Sequence, residues 1–304
     1  RRSASPIWAT RDEAMDALLH QIFSGIASGG IYAGLALALV MIYQSTGHIN
    51  FAQGEMAMFS TYIAWELIDY GTPYWGAFFL TIVFAFAAGV AIERLVIRPF
   101  HNLPVIALII VFIGLLVIVN STASWIFGTT LKTFPSPFPS APLCSNHYIS
   151  NHELGSIGVV LVIVAILFVF FRYTKLGLAM RAVAENPISS RLVGIRVGWM
   201  LALGWGLAAA IGAVSGMMVA PILYLDSTMM GGVLIYSLAG AILGGLDNPW
   251  GAALGGLLIG VMENVLSAYV IGTQLKLSVV LIVIVVVLLV RPAGLFGRTV
   301  VTRV

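Results

Sequence analysis

A chain of 304 residues that is 60% hydrophobic and only 9% charged, with a mean hydropathy of +1.02, exceeds what a soluble core could hide, since soluble domains carry about 25% charged residues. The class is therefore an all-α polytopic membrane protein. The net charge of +3, with no basic stripe interleaved with aromatics, excludes a nucleic-acid binder, and a single cysteine, Cys144, excludes an intrachain disulfide.

In chain order, residues 1–20 are polar and mixed in charge and read as an N-terminal extension, with those before Met15 as an upstream addition or cloning remnant. The run from Ile22 is too long for a signal h-region and lacks an Ala-x-Ala site, so it is read as a retained span. A helical span needs about 20 mostly apolar residues. Runs of that kind fall at Ile22–Tyr43, His48–Ile68, Tyr74–Val96, Leu103–Asn120, Leu154–Phe171, Trp199–Ala220, Gly231–Leu246, Gly251–Ile271 and Leu277–Val290. The second and seventh are short or interrupted by polar and Gly residues and are expected to be broken or re-entrant. The expectation is one transmembrane domain over residues 21–304 with 8–9 transmembrane helices.

One polar stretch, at residues 172–197, interrupts the apolar pattern. Arg172, Lys175, Arg181, Arg191 and Arg196 supply 5 of the 15 Lys+Arg. That density places the loop on the cytoplasmic side. It reads as a short amphipathic helix ended by Asn186-Pro187, built to dock a protein partner. The tail with Arg291, Arg298 and Arg303 is also expected inside, which needs an even number of spans between them, and four fit. Counting backwards puts Arg94, Arg98 and His101 inside and the Pro-rich Lys132–Glu153 loop outside. The N-terminus then lies outside, or inside if the second span is re-entrant.

Polar groups within spans mark function by default. Asn50, Gln53 and Glu55 lie within two helical turns at the start of the second span, with Asn50 and Gln53 at i, i+3. They either line a translocation path or stabilise a broken helix, and Glu55 equally suits a helix N-terminus. Glu263-Asn264 lies well inside the eighth span and is read as a further part of the translocation path, where an unpaired carboxylate needs a partner or a proton. Structural hydrogen bonding is the alternative there. Gly240-x-x-x-Gly244 and Gly256-x-x-x-Gly260 are expected to pack helices closely.

Three chemistries find no support. Ser215, in Gly212-Ala-Val-Ser-Gly216, would need a base as a nucleophile, but His20, His48, His101, His147 and His152 all lie at span ends or in loops. No P-loop is present for ATP hydrolysis. No Cys/His set offers a metal site, and no cofactor is implied.

Gly47-His-Ile-Asn-Phe-Ala-Gln-Gly-Glu-Met-Ala-Met58 resembles the G-x-x-N-F-A-x-G-E signature of LivH-type permeases, membrane subunits of bacterial branched-chain amino acid ABC importers. Leu176-Gly-Leu-Ala-Met-Arg-Ala-Val-Ala-Glu-Asn-Pro187 with Leu192-Val-Gly-Ile195 looks like their cytoplasmic coupling loop. The Leu238–Gly260 stretch resembles their Gly-rich segment, with Leu246-Asp-Asn-Pro249 in place of a more Gly/Ser-rich turn, and Arg291-Pro-Ala-Gly-Leu-Phe-Gly297 resembles their ending. The resemblance covers nearly all of the chain after Met15. It implies an importer permease of the inner membrane whose coupling loop, through Gly177, Arg181, Ala184, Glu185, Asn186 and Gly194, meets cytosolic ATP-binding subunits. Arg181, Glu185 and Asn186 would form the docking surface. It further implies a second, LivM-like permease and a periplasmic solute-binding protein. Branched-chain or other amino acids are the implied cargo, urea or short amides the variant. An ion-coupled secondary transporter acting through Glu55 and Glu263 is the rival from another class.

Overall fold

The computed structural model describes residues 11–100, 103–139 and 150–297. Residues 1–10, His101, the loop centre with Cys144 and His147, and the tail residues Arg298 and Arg303 lie outside the described residues.

Each of the nine apolar runs holds a helix. In order these are α1 (Arg11–Thr46), α2 (Gln53–Asp69), α3 (Tyr74–Ile92), α4 (Val105–Phe127), α5 (Asn151–Tyr173), two short helices α6 (Lys175–Glu185) and α7 (Pro187–Leu192), then α8 (Val197–Leu223), α9 (Met230–Gly244), α10 (Pro249–Leu266) and α11 (Lys276–Val290). Among the described residues, six helices are long and apolar enough to cross a membrane: α1, α3, α4, α5, α8 and α10. The others, α2, α9 and α11, have 17, 15 and 15 residues. At 1.5 Å per residue they span roughly 22–26 Å against a hydrocarbon core of about 30 Å. The expected shortness of the second and seventh spans is thus found. The ninth, read as an ordinary span, is also short; a π turn (Ser267–Ile271) and a 3₁₀ turn (Thr273–Leu275) precede it.

Helix α1 runs unbroken from Arg11, so the second half of the sequence-defined extension continues the first span as helix. Its middle is almost wholly buried, as is that of α8, and these two helices form the centre of the protein. α10, α9 and α5 pack around α1, and α3 and α2 pack on α8. The outer faces of α3, α4, α5 and α11 carry exposed Phe79, Ile110, Ile166 and Leu289, as a lipid-facing surface requires.

Glycine sets the inner packing. A Cβ on Gly240 would stand 2.6 Å from the Cα of Gly256, and one on Gly256 would stand 2.6 Å from the Cα of Ala33. Both G-x-x-x-G stretches are therefore close crossings, and α10 is gripped by α9 on one side and α1 on the other.

The contacts fix direction. Gln44, near the end of α1, donates to the Asp247 carbonyl ahead of α10, beside α6. Lys132 lies 3.6 Å over the Trp65 ring near the end of α2 and bridges to Leu225 beyond α8. One end of the bundle thus carries the basic loop and the other carries the Pro-rich loop. Helix α1 starts from the Pro-rich end, and α2 runs on to that end instead of turning back.

Candidate functional site

At the basic end, the sequence around residue 174 makes two sharp reversals. Thr174 caps α6 by accepting from the Gly177 N–H at 2.9 Å, and donates to the Phe170 carbonyl at 2.6 Å. A Cβ at Gly177 would stand 2.7 Å from the Cα of Phe171, so only glycine lets α6 fold back on α5. Gly177 and Val183 face inward, while Arg181, Ala184 and Glu185 are exposed. Asn186-Pro187 ends α6 as expected, but it also starts α7, which the sequence did not suggest. Asn186 accepts from the Ser189 N–H at 2.9 Å and Pro187 takes the first helical position. Gly194 has φ +84°, a conformation that favours glycine, and turns the chain into α8.

Behind α6 lies a groove of about 740 Å³, walled by Arg181 and Glu185, by Tyr43 and Gln44 of α1, and by Trp250 and Phe296. The chain's last described segment closes it. Leu295 and Phe296 donate their backbone N–H groups to the carbonyls of Leu243 and Gly244, and Asn248 donates to the Phe296 carbonyl. The departure at Leu246–Pro249 is thereby explained: Asn248 caps α10 through the Trp250 and Gly251 N–H groups and also holds the tail.

Midway along the bundle, α2 and α9 both begin after non-helical lead-in segments, residues 47–52 and 224–229. The first turns of the two helices touch, since a Cβ on Gly54 would stand 3.3 Å from Leu234. The lead-in segments are shaped by Gly47 at φ +73° and Tyr224 at φ 63°, the latter strained for a bulky residue. Asn50 and Gln53 are fully buried. Asn50 accepts from the Ala52 N–H at 3.0 Å and donates to Gln53 at 3.4 Å, while Gln53 donates to the Ala208 carbonyl of α8 at 2.9 Å. Gly212 leaves room for that amide, since a Cβ there would stand 2.7 Å from Gln53 Nε2. Asn50 precedes α2 instead of sharing a face of it. Glu55 sits in the first turn of α2 and accepts from Asn120 at 3.0 Å. Asn120 also donates to the Ser227 carbonyl at 2.6 Å, so it ties α4 to the start of α2 and to the segment ahead of α9. Sequence reading ended the fourth span at Asn120; α4 continues to Phe127 and places it within the helix.

Glu263 and Asn264 belong elsewhere. Glu263 is not unpaired: it meets Lys276 Nζ at 3.0 Å and accepts from the Tyr32 hydroxyl at 3.0 Å. Asn264 donates to the Gly260 carbonyl of its own helix. None of the described hydrogen bonds joins these two residues to Asn50, Gln53 and Glu55. Ser215 is buried against α1, where a Cβ on Gly34 would touch its Oγ, which fits a packing residue. No group of three or more His, Cys, Asp or Glu among the described residues could hold a metal.

Comparison with known proteins gives the family. Residues 21–290 match the family model described as branched-chain amino acid transport system / permease component. The chain is 31% identical over 301 residues to the high-affinity branched-chain amino acid transport system permease protein LivH of Escherichia coli K12, covering 94% of this chain and 97% of that one. It is 30% identical to BraD of Pseudomonas aeruginosa, covering 94% and 98%, and 28% identical to the probable LivH of Methanocaldococcus jannaschii, covering 86% and 87%. Among solved structures, PsaBC from Streptococcus pneumoniae in complex with Fab aligns over 92% of both chains at 11% identity and a TM-score of 0.45. With a multi-pass helical bundle, a family model spanning residues 21–290 and relatives matched nearly end to end, this chain belongs to the branched-chain amino acid transport permease family.

Proposed function

We propose that this chain is the permease subunit of an ATP-driven ABC importer in the inner membrane, and that it moves branched-chain or other amino acids. The observation that carries the reading is the basic end. There a rigidly capped pair, α6 and α7, presents Arg181, Ala184 and Glu185 to solvent at the mouth of the groove. Exposed Leu178, Ile188 and Leu192 surround these residues. Exposed apolar side chains beside charge, on a loop held by Gly177, Asn186 and Gly194, suit a protein partner. The partners in this reading are cytosolic ATP-binding subunits, which hydrolyse the ATP, a second LivM-like permease and a periplasmic solute-binding protein.

The translocation path runs past the polar starts of α2 and α9, lined by Glu55 with Asn120 as an added member, while the buried Asn50 and Gln53 hold the start of α2 against α8 behind it. Discontinuous helices that start at mid-membrane are a recurrent way to expose polar backbone to a solute. Glu263 serves instead as a brace, and Asn264 as a local hydrogen bonder, which weakens the ion-coupled alternative. Reversing charge at the loop tests the reading. Arg181→Glu and Glu185→Arg should each release the ATP-binding subunits on purification while the chain keeps its thermal stability. Full transport with normal co-purification in both would sink the assignment.

A further inference from the structure

A second cavity at the basic end belongs neither to the α6 groove nor to the mid-membrane starts of α2 and α9. It measures about 310 Å³ and lies between the π and 3₁₀ turns that follow α3 (Glu93–Ile97 and Arg98–Phe100), α7 and the first half of α8, walled by Thr46, Glu93, Arg98, Arg191, Gly198 and Trp205. Its acceptors are already used. Both Glu93 carboxylate oxygens receive Arg98, through Nε at 3.2 Å and Nη2 at 2.8 Å. The Gly198 carbonyl receives Arg98 Nη2 at 2.6 Å, and the Thr46 hydroxyl receives the His48 N–H.

The donors are not used up. Among the described residues, Arg98 Nη1 carries no hydrogen bond and the guanidinium of Arg191 has no partner. Two cations against one carboxylate leave the wall positive. A cavity with spare donors, spare charge and spent acceptors is complementary to an oxyanion.

We propose that this cavity binds a phosphate group, held between Arg98 and Arg191. The group could belong to the headgroup of an anionic phospholipid or to free phosphate. The site lies at the basic end, where anionic headgroups of the cytoplasmic leaflet meet basic pockets between helices. Occupancy would tie α7, the outer half of the basic loop, to the α3–α8 pair.

The test uses the full chain, purified with whatever subunits accompany it, in neutral detergent. Thermal melting is followed with added phosphatidylglycerol, phosphatidylcholine or inorganic phosphate, and retained lipid is counted by native mass spectrometry. Wild type should be stabilised by phosphatidylglycerol and not by phosphatidylcholine. Arg191→Gln should weaken the effect roughly tenfold or more, as loss of a charged hydrogen-bond donor implies. Arg291→Gln, which removes an exposed charge elsewhere, should leave it intact. Stabilisation by inorganic phosphate at millimolar concentration, lost in Arg191→Gln, would assign free phosphate as the source. Equal responses of wild type and Arg191→Gln, equal loss in Arg291→Gln, or no response to either phosphate probe would overturn the site.

Discussion

Replacing Lys276 by Ala should destabilise the protein mainly through what it leaves behind. The Glu263 carboxylate is 5% exposed and would keep only the Tyr32 hydroxyl as a partner. Breaking a fully buried pair costs about 3–5 kcal/mol. Lys276 is 30% exposed, so water screens part of the pair, and about 2–3 kcal/mol is expected. Tyr32→Phe removes one interhelical hydrogen bond and should cost about 0.6–1.7 kcal/mol. The double variant Lys276→Met with Glu263→Leu removes both charges and should return to within about 1 kcal/mol of wild type. Reversible unfolding in mixed micelles, followed by tryptophan fluorescence, reads all four proteins. Solute uptake into proteoliposomes holding the complete transporter should survive in the double variant, because the pair braces α10 against α11 and α1. A loss below about 0.5 kcal/mol in Lys276→Ala would refute the brace. Loss of uptake in a double variant that folds normally would move Glu263 back into the transport path.

Three further outcomes follow from particular contacts. Gly256→Leu should yield no folded protein in membranes, since its side chain would collide with the α1 backbone at Ala33, and detection of normal amounts by immunoblot would contradict the close crossing. Asn120→Leu should cost about 1–3 kcal/mol, because it strands the Glu55 carboxylate and the Ser227 carbonyl; melting and uptake should fall together, and unchanged values in both would remove Asn120 from the site. Gly177→Val should abolish coupling by driving α6 off α5, seen as loss of ATP-binding subunits from the purified complex, while α1 and α8 stay protected from hydrogen exchange.

Most of the fold was legible in the sequence because lipid imposes length and apolarity locally. All nine runs hold helices, and the polar and Gly-rich starts of α2 and α9 foretold their shortness. What was not legible depends on pairing between distant segments. Asn120 looked like a span end, and only the approach of α4 to the starts of α2 and α9 gives it a role. Glu263 looked unpaired because Lys276, after an irregular turn, read as the flank of the next span. Asn186 was read as a stop, yet the same side chain that follows α6 caps α7. The tail motif Leu295-Phe296 resembled a family ending without revealing that it closes the groove behind α6. Arg98 stood in the sequence only as one of the charges on the inner side until the fold set it beside Glu93 and Gly198.

The central claim is that the basic loop couples this permease to ATP-binding subunits. The most direct measurement is affinity purification of the chain from its native membrane, with identification of every protein that comes with it. The account predicts ATP-binding subunits and a second permease in fixed stoichiometry, with the ATP-binding subunits lost in Arg181→Glu. A chain that purifies alone, as a stable oligomer able to transport without ATP, would contradict it.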